Sequence, residues 1–238
     1  MISGAELGTN VRDNEAKWAV WFSRDSLKSA LLGAIWLTCL VGGGLLVSNG
    51  AYMWAKAQFA QVLIASAWQR SMHAAEVNIP SHSANQTLEA QAIKTKPWPW
   101  ADTYPVAKLT LPSKSLGSLS GEPLYVLAGA SGRTMAFGPG HMSATPLPFE
   151  GGNSVITGHR DTHFAALQYL NKGDSIDVQT LEAQGQYRVT STFIVHQSQT
   201  HIIESQGADQ LTLITCYPFN AMTPNPTIRY VVSAERVR

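Results

Sequence analysis

The chain has 238 residues, enough for one sizeable domain with additions. Its formal net charge is +1 and charged residues make up only 14%. There is no basic stripe interleaved with aromatics, which argues against a nucleic-acid partner. Two cysteines are present, Cys39 and Cys216, with no CxxC pair and no HExxH motif, so neither a metal site nor a cofactor is expected.

In chain order, residues 1–26 are polar and mixed in charge, and are expected to form a short, poorly ordered cytoplasmic tail. Ser29 to Ala55 then contains no charged residue. About 20 apolar residues at 1.5 Å rise span a hydrocarbon core, so 27–48 is expected to be a transmembrane helix. Arg12, Lys17, Arg24 and Lys28 precede it, which orients the N-terminus toward the cytoplasm. The alternative is a signal peptide cleaved near Ser48–Ala51, but the apolar run is longer than such peptides carry.

Residues 49–77 continue in helical style with no proline, and Tyr52 and Trp54 suit an interfacial belt. This juxtamembrane helix is expected to pack on the globular domain or the membrane surface, with a stalk or dimer face as the alternative. Residues 78–95 are polar and read as a linker. Pro97-Trp-Pro-Trp100 opens the globular domain, 96–238, and its tryptophans are expected to pack an extended segment over it. From Tyr104 on, short apolar runs alternate with turn signals, the pattern of an all-β barrel or sandwich. Strands are expected at 106–111, 124–127, 154–157, 175–179, 186–196, 211–215 and 227–234. A short helix is expected at 162–170, with turns at Gly173-Asp174 and Gln184-Gly185.

Three stretches carry chemistry. Leu211-Thr-Leu-Ile-Thr-Cys216 reads as a strand ending on a thiol, because Pro218 cannot continue the ladder. Val155-Ile-Thr157 is a strand that Gly158 ends, with His159 just beyond it. Thr227 to Ser233 is a third strand, with Arg229 near its start. A lone cysteine is more often a small buried hydrophobe. Here a histidine can hold it as a thiolate, and an arginine can stabilise an oxyanion. These are the residue types that acyl transfer through a thioester requires.

Gly158-His-Arg-Asp-Thr-His-Phe164, the strand ending on Cys216 and the following Arg229 together resemble the sortases, the cysteine transpeptidases of bacterial surfaces. Lys96-Pro-Trp-Pro-Trp-Ala-Asp-Thr-Tyr-Pro105 and Met135-Ala-Phe-Gly-Pro-Gly-His141 extend the likeness to the class GN sortases of Gram-negative proteobacteria. The resemblance implies a mainly β fold: an eight-stranded sortase-type barrel with short helices, behind the two N-terminal helices. It implies His159, Cys216 and Arg229 as the catalytic residues. It adds Thr215, His141, Asp161 and His163 as candidates for substrate binding or support, with Asp161 orienting His159 or pairing with Arg160.

The implied reaction is transpeptidation of substrate proteins bearing an LPxTG-like C-terminal sorting signal, with an unidentified acceptor amine, at the inner membrane. One departure is Ala144 to Gly152, where the family often has a Pro-Gly turn, and an altered substrate groove is expected from it. The rival readings are a hydrolytic cysteine peptidase, a non-catalytic membrane-tethered peptide-binding barrel, and an assembly scaffold working through the 51–77 helix.

Overall fold

The structure, a computed structural model, describes residues 7–77, 95–112, 121–205, 209–221 and 226–237. The linker expected at 78–95 lies outside the described residues, save Thr95. The chain divides into two compact units, Met1–Lys56 and Ala57–Arg238.

A single helix, α1, runs over Leu7–Val77. It therefore includes most of the stretch expected to be a poorly ordered tail. Adding residues to an existing helix requires no new nucleus, and no proline interrupts this one. In the first unit, large apolar side chains from Leu31 to Trp54 stand more than half exposed on every side of the helix. Among the described residues α1 is the one helix long and apolar enough to cross a membrane.

The second unit contains the last turns of α1 and a closed barrel. Ala60, Ile64, Ala67, Trp68 and Ser71 are buried, at the three- and four-residue spacing of one helix face. Trp68 packs on Tyr125 with ring centroids 6.4 Å apart, and Gln61 Nε2 donates to the Phe137 carbonyl at 2.7 Å. This part of α1 therefore packs on the barrel. Its buried face is mostly small residues, while Phe59 and Val62 point outward.

The barrel strands are β1 (Pro105–Thr110), β2 (Leu124–Ala128), β3 (Gly140–His141), β4 (Asn153–Thr157), β5 (Ser175–Gln179), β6 (Gln184–His196), β7 (Gln210–Tyr217) and β8 (Ile228–Arg236). A four-residue helix, α2 (Gly132–Met135), follows β2. The closed order is β1-β2-β3-β4-β7-β8-β6-β5. The eighth strand beyond the seven expected is β3, two residues long and too short to show any alternation. Its Gly140 is sterically required, since a Cβ there would lie 2.4 Å from the Gly129 carbonyl oxygen.

Gln184-Gly185 opens β6 rather than forming a turn. The turn falls just before it, where Thr180 N donates to the Ala183 carbonyl at 2.8 Å. The helix expected at 162–170 is a 3₁₀ turn at Ala165–Tyr169. Of the two opening tryptophans, Trp98 packs edge-on against Phe137, whereas Trp100 is 83% exposed.

Leu109, Val126, Ile156, Ile176, Tyr187, Leu211, Leu213 and Val232 fill the larger core. The opposite face of the sheet carries a second cluster: Val155, Val195, Ile214 and Val231, with Met142, Ile202 and Ile203 packed against it. This is why β7 is buried on both sides, and why its sequence reads as a nearly continuous apolar run. Ser154 is buried, and among the described residues its Oγ is a buried side-chain oxygen with no hydrogen-bond partner. Leaving such a hydroxyl unpaired costs about 1–3 kcal/mol. Ser154→Ala is therefore expected to stabilise the chain, by up to about 1 kcal/mol after lost packing, as urea unfolding would measure.

Candidate active site

β4 and β7 run parallel, with Thr157 beside Ile214. Parallel neighbours end at the same edge, so His159, two residues past Thr157, and Cys216, two residues past Ile214 and still within β7, come to one edge of the sheet. β8 runs antiparallel to β7, and Arg229 is the direct register partner of Cys216. Opposed residues project from the same face. Cys216 and Arg229 thus share the face bearing Ile214 and Val231, outside the main core. Cys216 is half-buried and free.

The sequence folds this way locally for identifiable reasons. Gly158 N donates to the Ile214 carbonyl at 3.1 Å, which carries the pairing one residue past β4. A Cβ on Gly158 would lie 2.8 Å from the Phe164 ring, and Phe164 is fully buried. The loop closes through Phe164 N donating to the His159 carbonyl at 3.0 Å. Glycine at the start and phenylalanine at the end of this stretch therefore fold it back on itself, with His159 at the base of the loop, two residues past the end of β4. Thr215, buried on the inner side of β7, donates from Oγ1 to the Gly158 carbonyl at 2.8 Å. It braces the histidine loop against the cysteine strand.

Arg229 donates through Nη2 to Gln197 Oε1 at 3.0 Å, and through Nη1 to the carbonyls of Ile228, at 3.1 Å, and Pro226. Gln197 thus holds one arm of the guanidinium, and no motif in the sequence marks it. Asp161 is exposed and accepts from Arg160 Nε at 3.1 Å, so of the two partners expected for it the structure gives Arg160. Thr162 Oγ1 lies 3.3 Å from His163 Nδ1. Burial lowers the proton affinity of His163, and positive charge on His159 lowers it further.

His141 sits apart from this group. It pairs with Ile156, a residue of the larger core, and is itself buried. Its Nε2 donates to the Pro146 carbonyl at 3.0 Å, since a carbonyl can only accept, and lies 3.3 Å from Thr145 Oγ1. These bonds hold the loop before β4 rather than presenting the ring to the Cys216 face. Burial lowers its proton affinity, against an opposing pull from Pro146 and Glu150.

A histidine whose folded affinity is depressed contributes stability that is present above its unfolded pKa and is lost as pH falls through the folded one. Stability is therefore expected to fall on acidification below about pH 6.5. His141→Gln, which keeps a donor toward Pro146, should flatten that decline in urea titrations at successive pH values.

The stretch Ala144 to Gly152 lies toward the other end of the barrel, ahead of the start of β4. Leu147, Pro148, Phe149 and Glu150 line a cavity of about 280 Å³ there with Tyr104 and Leu181. Phe149 N donates to Tyr187 Oη at 3.0 Å, and Tyr187 donates to Asp209 Oδ1 at 2.7 Å. Among the described residues, no group of three His, Cys, Asp or Glu side chains is placed to hold a metal ion.

Residues 119–237 match the family model for the sortase domain. Sortase D of Bacillus subtilis (strain 168) is 34% identical over 115 residues, 48% of this chain and 58% of that protein. Sortase A of Bacillus anthracis is 26% identical over 136 residues, 56% of this chain and 60% of that protein. The chain thus spans about three-fifths of the length of these two curated relatives. A solved structure of a pilus-related sortase C of Group B Streptococcus is 28% identical, with a TM-score of 0.49 over 56% of this chain and 68% of that one. Half of the chain is matched by the domain model, and the matched half carries the strand ends that bear His159, Cys216 and Arg229, so the chain belongs to the sortase family.

Proposed function

We propose that this chain is a membrane-anchored cysteine transpeptidase that cuts an LPxTG-like sorting signal and transfers the upstream protein to an amine. The observation that carries the reading is the common strand edge of His159, Cys216 and Arg229. Cys216 acts as a thiolate beside a protonated His159. Its Sγ attacks the threonine carbonyl of the signal and forms a C–S bond. The carbonyl oxygen becomes an oxyanion, which Arg229 stabilises. The C–N bond to glycine then breaks, and His159 gives its proton to the departing amine. The acceptor amine attacks the thioester and returns a proton to His159, and the thiolate leaves.

The anchor is the apolar part of α1, in the inner membrane of a Gram-negative cell, with the barrel in the periplasm. The support is the basic residues on its N-terminal side and the likeness to class GN. A sorting signal is followed by its own apolar tail, so enzyme and substrate share one membrane and meet at high effective concentration.

The test uses the full chain in detergent with a panel of LPxTG-like peptides, with and without an added amine, read by intact mass. A peptide-sized adduct on Cys216 and an amine-bearing product are expected. An adduct that yields only hydrolysed peptide would make it a peptidase. Peptide binding without any adduct would make it a binding module.

A further inference from the structure

We propose that Arg160 is a positioning residue, which fixes the distance between the loop carrying His159 and the segment leaving Cys216. The proposal rests on the Cys216–His159 reading above. Arg160 is 8% exposed, although it lies in a surface loop. Its Nη1 donates to the Pro218 carbonyl at 2.8 Å, its Nη2 to the Ala221 carbonyl, and its Nε to Asp161 at 3.1 Å. Asp161 is 69% exposed, so the buried charge rests chiefly on two backbone carbonyls of the β7–β8 loop.

Burying a guanidinium is costly unless its donors are all directed at acceptors. Here they join one chain segment directly after His159 to another directly after Cys216. Beneath the pair, Thr215 Oγ1 and Gly158 O tie the same two segments. The strand pairing of β4 with β7 ends at Thr157 and Ile214. His159 and Cys216 therefore lie between two braces, one beneath them at Thr215 and one beyond them at Arg160. Lysine cannot reproduce the outer brace, because a single ammonium cannot span the three directions of the planar fork.

The experiment measures the pH dependence of Cys216 alkylation by iodoacetamide. It uses the full chain in detergent, in a Cys39→Ser background, for the parent, Arg160→Gln, Arg160→Lys and His159→Ala. Thermal unfolding of each is recorded alongside. Losing the histidine partner moves a thiol toward its ordinary pKa of about 8.5. Arg160→Gln is expected to move the midpoint upward, toward that of His159→Ala, by at least about half a pH unit, with Arg160→Lys in between.

An Arg160→Gln profile that superimposes on the parent, while His159→Ala is displaced, overturns the role of Arg160 alone, whatever its melting temperature. A His159→Ala profile that superimposes on the parent removes the thiolate–imidazolium pair, and the proposal falls with it. Should Arg160→Gln fail to fold, Arg160→Lys is judged by the same criterion.

Discussion

Replacing Cys216 by alanine is expected to abolish the peptide adduct and to lower turnover by on the order of 10⁴-fold or more. Among the described residues Cys216 is the one thiol at this strand edge. The chain's other cysteine, Cys39, lies in the apolar part of α1. His159→Ala should be nearly as damaging, because groups that act as a unit lose their effect together. Its signature is different, however. The thiol survives, and only its partner in proton transfer is lost. Single-turnover mass spectrometry on both variants checks this, and an alanine variant at position 216 that still forms adduct would remove the covalent route altogether.

Arg229→Lys and Arg229→Ala are expected to lower kcat by about 10²–10³-fold with a much smaller change in KM, if the guanidinium meets the oxyanion only as it forms. Lysine keeps the charge but not the fork. Two hydrogen-bonding arms of Arg229 are already engaged, one by Gln197 and one by the carbonyls of the preceding turn. That engagement fixes the planar group on the strand residue opposite Cys216, at little cost in side-chain freedom when substrate arrives. Gln197→Ala should therefore produce a milder version of the same kcat loss. A rise in KM at unchanged kcat in Arg229→Ala would instead give Arg229 the task of holding the signal's backbone. No change in either constant would remove it from the mechanism.

Much of the barrel was legible from local rules. Seven of its eight strands announce themselves by apolar runs between turns, and the proline after Cys216 marks where β7 stops. Alternation alone put Thr215 on one face and Cys216 on the other, and burial agrees: Thr215 is enclosed, while Cys216 is half open. Closure into an eight-stranded barrel, which the family resemblance implied and the structure shows, was not legible from these local rules, because it depends on β3, whose two residues carry no period. The face of α1 that meets the barrel was hidden for a related reason. The conspicuous Phe59 and Val62 point away, and alanines and a serine make much of the contact.

The sequence by itself determined that a thiol, an imidazole and a guanidinium stand at strand ends, and that an apolar helix precedes them. Residue type and spacing suffice for that, because strand ends are set by nearest neighbours along the chain. Only the tertiary structure decided which of the remaining polar groups join them. Asp161 turned to Arg160, His141 faced the loop before β4, Arg160 reached the Pro218 carbonyl and Gln197 accepted from Arg229. Those pairings depend on strand order and register, which bring together residues 58 positions apart in the case of Arg160 and Pro218. Hydrogen bonds across such separations leave no trace in local pattern, since their geometry exists only once the barrel has closed.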